Sequence, residues 1–99
     1  MQPSDMQPTH IRVRIIVGGI VQGVGFRNFV FHWAKKLGVS GFTRNLPTGE
    51  VESILEGEKE HVESLVRLIK HGPKISEVTD SRVEIQEFIG EFMVFKILR

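Results

Sequence analysis

The sequence predicts an α+β domain: two helices packed on one face of a mostly antiparallel sheet, with an extra strand near the C-terminus. Three observations carry this. Period-two alternation of apolar residues over 11–17 marks a strand. Apolar stripes of helical period at 26–37 and 62–69 mark two helices. The segments then follow one another in the order βαββαβ, which split βαβ units build into the ferredoxin-like two-layer sandwich.

In the first strand Ile11, Val13, Ile15 and Val17 alternate with Arg12, Arg14 and Ile16. Gly18, Gly19, Gly23 and Gly25 interrupt the pattern and make a loop. Phe26, Phe29, Val30, Trp33, Ala34 and Leu37 then fall on one helical face, with Lys35 and Lys36 suiting the C-terminal dipole and Gly38 the cap. Residues 39–46 read as a strand, and Pro47-Thr48-Gly49 as the turn of a hairpin. A third strand runs through Val51, Ser53 and Leu55 to Gly57. Glu50, Glu52, Ile54 and Glu56 lie on its other face, where the three glutamates are expected to be solvated. Val62, Leu65, Val66 and Ile69 form the buried stripe of the second helix, which Gly72-Pro73 stops. Two last strands are expected at about 76–88, anchored by Val83 and Ile85, and at 92–98.

The chain of 99 residues has room for one core only. Residues 1–9, polar and with two prolines, are expected to form a disordered N-terminal arm, and residues 10–99 the domain. The arm lacks the basic and apolar regions of a signal peptide, and no apolar run approaches the roughly 20 residues that span a bilayer. Cysteine is absent, which excludes disulfides, zinc-thiolate sites and a thiol nucleophile, and fits a reducing compartment. A cytoplasmic monomer without membrane attachment is expected. A net charge of +1 lacks the basic excess of a dedicated nucleic-acid binder.

Residues 19–27, Gly-Ile-Val-Gln-Gly-Val-Gly-Phe-Arg, join strand to helix. Glycines there let successive backbone N–H groups turn inward as an anion-binding nest, and the helix start adds unsatisfied donors. Arg27 offers a planar guanidinium matched to two phosphate oxygens. All three features favour a phosphate dianion; the plainer reading is a packing turn followed by a surface arginine. A P-loop is excluded because Gly-Lys-Ser/Thr is missing. The dinucleotide fingerprint fails because Asn28 stands in place of its third glycine.

This stretch resembles the loop signature of the acylphosphatase family, G-x-V-Q-G-V-x-F-R, at every fixed position. Residues 41–57, Gly-Phe-Thr-Arg-Asn through Gly57, resemble that family's second signature with its spacing intact, and the likeness extends over about 11–98. The resemblance implies a cofactor-free, metal-independent enzyme that hydrolyses acyl phosphates to carboxylate and inorganic phosphate. It implies Arg27 and Asn45 as the catalytic pair, with the phosphate held by Val21, Gln22, Gly23, Val24, Gly25, Phe26 and Arg27. Asn45 would orient the attacking water; by itself it also reads as a hairpin residue bonding local backbone. Thr43 departs from the Ala, Val or Cys usual in the family, and Ile20 from a common basic residue.

An acyl phosphate has a good leaving group, so positioning and charge stabilisation suffice and no strong general acid is needed. The scattered His10, His32, His61 and His71 make no metal cluster. The rival fold-mate is an RNA-binding RRM domain, since Gly25-Phe26 through Phe31 is superficially similar to its Gly-aromatic motif. That motif belongs on a central strand, whereas this segment has helical period. A catalytically weak acyl- or carbamoyl-phosphate binding domain, as found fused in hydrogenase maturation proteins, is the nearer alternative.

Overall fold

A computed structural model describes residues 9–99. The expected arm falls outside the described residues except for Thr9, whose carbonyl accepts a hydrogen bond from Lys59 N at 2.9 Å. The elements are β1 (His10–Ile20), α1 (Phe26–Leu37), β2 (Ser40–Asn45), β3 (Val51–Glu58), α2 (Lys59–His71), β4 (Glu77–Gln86) and β5 (Phe95–Ile97). They build one five-stranded sheet in the order β4-β1-β3-β2-β5, antiparallel except for the β2–β5 pair. The sandwich order read from the sequence is therefore present, and β5 adds the extra strand beside β2. The Gly-aromatic segment lies on α1, not on a strand.

Register places Thr43, Ser53, Ile15 and Val83 in one cross-strand row, and Asn45, Val51 and Val17 in another. These rows face the helices. Val13, Ile15, Val17, Val51 and Leu55 meet Phe26, Val30 and Ala34 of α1 and Val62, Leu65 and Ile69 of α2, all 2% exposed or less. Phe29, Phe31 and Trp33 pack partly buried against this core. Each helix thus buries the stripe its periodicity marked.

Two elements differ from the sequence reading. Val83 and Ile85 sit on the helix side but are 42% and 70% exposed, because β4 is an edge strand reached by only part of α2. The last strand is confined to Phe95–Ile97; Val94 still accepts from Gly41 N at 3.0 Å, but residues 92–94 leave the ladder.

The expectation of a solvated glutamate row also fails, since Glu52 and Glu56 are buried on the sheet face away from the helices. Opposite charges from neighbouring strands cover them. Glu52 accepts from Arg14 Nε and Arg44 Nε, both at 2.6 Å. Glu56 accepts from the backbone N–H groups of Ile89, Gly90 and Glu91 and from Arg12 Nη1, which pins the β4–β5 loop. Alternation in one strand could not show that three arginines of β1 and β2 would lie beside these carboxylates. Burial pushes both carboxyls up, but these donors outweigh it and hold them below the usual value of 4.5.

The sign follows from that depression. Both groups contribute stability above the unfolded value of 4.5, and the contribution is lost as pH falls through their lower folded values. The melting temperature is therefore expected to drop as the solution is acidified below pH 4.5. In the Glu52→Gln/Glu56→Gln variant the slope should be shallower over the same range. At pH 7 that variant should be less stable by about 1–3 kcal/mol, the cost of weakening buried hydrogen bonds. Parallel acid melts of the two proteins test this, and equal slopes would locate the acid sensitivity elsewhere.

Candidate active site

The strand register brings the catalytic candidates to one end of the sheet. Val17, Val51 and Asn45 are neighbours across β1, β3 and β2, so the loop leaving β1 starts beside the end of β2. On the other side, Thr43 pairs with Ile97 of β5, and Leu98 N donates to Thr43 O at 2.9 Å. The chain after β5 therefore passes the same end. Between these segments lies a cavity of about 320 Å³, lined by Val21, Gly23, Gly25, Phe26, Arg27, Asn28, Asn45, Ile97 and Arg99.

Gly23 and Gly25 both have φ of 75°, the left-handed region that favours glycine, while among the described residues none other than glycine has positive φ. Alternating hand along residues 22–26 is the geometry that turns consecutive N–H groups to one side. Gly25 caps α1, and its carbonyl accepts from Phe29 N at 3.0 Å. Among the described residues, no protein acceptor takes a hydrogen bond from the N–H groups of residues 22–28. Loop and first helical turn thus present a row of free donors, and the helix dipole adds positive potential there.

Arg27 is half-buried in the first turn of α1, and its Nη1 donates to Leu98 O at 3.0 Å. One corner of the guanidinium is thereby tethered to the segment after β5, leaving other N–H groups for a ligand. Asn45, also half-buried, ends β2 just before the turn, where Leu46 N donates to Glu50 O at 2.8 Å. Thr43, two residues earlier and fully buried, accepts from Ser53 Oγ at 2.9 Å. Its hydroxyl is satisfied locally rather than turned to the cavity.

Of the loop residues assigned to phosphate, Val21, Gly23, Gly25, Phe26 and Arg27 line the cavity, while Gln22 and Val24 do not. Val24 packs against the core, and Gln22 points its side chain to the hairpin. Asn28, Ile97 and Arg99 were not anticipated. Asn28 had a signal, being exposed beside Arg27 in the first turn. The other two depend on the parallel β2–β5 pairing, which local pattern does not encode. His10, His32, His61 and His71 are all exposed, and none lines this cavity.

A protein-family model described as acylphosphatase matches residues 13–97. The acylphosphatase of Caldivirga maquilingensis is 46% identical over 88 residues, covering 88% of this chain and 93% of that one. The crystal structure of acylphosphatase from Bacillus subtilis has a TM-score of 0.86 at 38% identity, covering 90% of this chain and 99% of its own. Full-length HypF, solved in a phosphate- and nucleotide-bound form, has a TM-score of 0.84 at 36% identity, over 94% of this chain but 12% of that one.

Proposed function

This chain belongs to the acylphosphatase family, whose activity is the hydrolysis of acyl phosphates, and from that premise we propose how its own residues act. The free N–H groups of residues 22–28 and the untethered part of the Arg27 guanidinium hold the phosphoryl oxygens. The observation that carries this reading is that Gly23, Gly25, Phe26, Arg27 and Asn28 line one cavity of about 320 Å³ together with Asn45. Asn45 orients a water in line with the scissile P–O bond. The water oxygen bonds to phosphorus as that bond breaks, and the carboxylate leaves with the electron pair. The water's proton passes to the phosphoryl group, which departs as inorganic phosphate.

The donors strengthen as charge builds on the equatorial oxygens and need little reorganisation, because the backbone already aims them. No step in this scheme calls on a metal or cofactor. The substrate is a small acyl phosphate and the working form a monomer in the cytoplasm, the last supported by the absence of cysteine from the sequence. A domain of a larger maturation protein is the second reading, favoured by the match to full-length HypF over 94% of this chain.

Benzoyl phosphate hydrolysis, followed in excess EDTA, tests the proposal. Turnover is expected to be the same with and without the chelator. Activity that disappears with EDTA and returns with a divalent ion would overturn the metal-free scheme, and no turnover under either condition would overturn the assignment of the site.

A further inference from the structure

Gln22 belongs to the phosphate loop by sequence, yet its side chain leaves the cavity. Its Nε2 donates to Leu46 O and to Glu50 O, both at 2.9 Å. Both acceptors are carbonyls, so the amide nitrogen must face them, and both of its hydrogens are used. Leu46 follows Asn45 directly, and Glu50 precedes Val51, the cross-strand partner of Asn45. The same two carbonyls accept from Gly49 N and Leu46 N, which close the turn. The amide is therefore set into the base of the hairpin. The Glu50 carboxylate does not compete for it, being bonded to Thr48 Oγ1 and Arg82 Nη1.

We propose that Gln22 is a positioning residue that clamps the phosphate loop to the hairpin carrying Asn45 and so sets the separation between the phosphorus and the oriented water. The inference rests on the site reading given above. Among the described residues, no other side-chain hydrogen bond joins residues 21–25 to residues 45–50. Without the clamp, the cradle still holds phosphate through its own N–H groups and Arg27, but Asn45 is free to drift from the line of attack. A misplacement of about 1 Å at such a site costs on the order of 100-fold in rate.

The test is a double-mutant cycle of Gln22→Met and Asn45→Ala, read by kcat for benzoyl phosphate and by inhibition with inorganic phosphate. Gln22→Met keeps the length and volume of the side chain and removes the donor. It is expected to lower kcat by about 10–100-fold while changing the phosphate inhibition constant by less than about 3-fold. In the Asn45→Ala background the same change should lower kcat by less than about 3-fold, because the group it positions is already gone. Gln22→Glu supplies a rescue that does not depend on packing. Its carboxylate is repelled by the two carbonyls, and protonation restores one donor, so its kcat relative to wild type should rise as pH falls. An undiminished Gln22→Met effect in the Asn45→Ala background overturns the proposal, as does a Gln22→Glu ratio independent of pH. Full kcat in Asn45→Ala alone overturns the site reading beneath it, a result distinct from either.

Discussion

Arg27→Ala is expected to lower kcat/KM for benzoyl phosphate by about 1,000-fold or more, the scale on which an arginine facing a transferring phosphoryl group acts. The fall should divide between binding and turnover, because the guanidinium is proposed to meet the phosphoryl oxygens in both ground state and transition state. Stability should change little. The lost bond to Leu98 O is worth about 0.5–1.5 kcal/mol, and the half-buried carbonyl can be reached by water. Inorganic phosphate separates these effects, since a ligand that binds only the folded state raises the melting temperature. Wild type should show a phosphate-dependent rise and Arg27→Ala much less of one. Arg27→Lys should recover part of the binding and little of the rate, because a point charge replaces the two-pronged donor. An undiminished phosphate shift in Arg27→Ala would place the anion site away from this loop.

The parts of the molecule legible in the sequence are those governed by local period and local backbone geometry. The stripe from Phe26 to Leu37 could be read because a helix places every third or fourth side chain on one face, whatever lies opposite. Gly23 and Gly25 could be read as a nest because positive φ is a property of the residue itself. Asn45 is harder, as an asparagine before a turn also serves the turn. The role proposed for it rests on the spacing of the surrounding signature and on the register Asn45–Val51–Val17, which brings it beside the loop.

What stayed hidden depends on which strands become neighbours. Glu52 and Glu56 alternate with apolar residues as solvent-facing carboxylates do. They are buried because β1 and β2 flank β3 and bring Arg12, Arg14 and Arg44 to them. The tether from Leu98 O to Arg27 has the same origin, since it needs the parallel pairing of β5 with β2 across a separation that no local pattern signals. The side chain of Gln22 was hidden for a subtler reason. Its position in the loop signature fits a backbone donor, and a sequence does not show that the side chain turns the other way.

Asn45→Ala should separate chemistry from binding. Its carboxamide is proposed to meet the water rather than the phosphate, so its loss leaves the free N–H groups of residues 22–28 and Arg27 in place. The phosphate-dependent rise in melting temperature should therefore survive at wild-type size, while kcat falls by about 100-fold or more, the scale of losing orientation of a reacting group. KM should stay near the wild-type value, because the interaction removed contributes mainly in the transition state. The fold should tolerate the change: Asn45 is half-buried at a strand end, and the turn is closed by Leu46 N, Gly49 N and the Gln22 amide without its side chain. Asn45→Asp sharpens the test by keeping the shape while placing a negative charge beside the phosphoryl group. It should weaken the phosphate-dependent shift that Asn45→Ala preserves. Normal turnover in Asn45→Ala would return this residue to the turn and leave the attacking water to be oriented by another group lining the cavity, of which Asn28 is the nearest in chemistry.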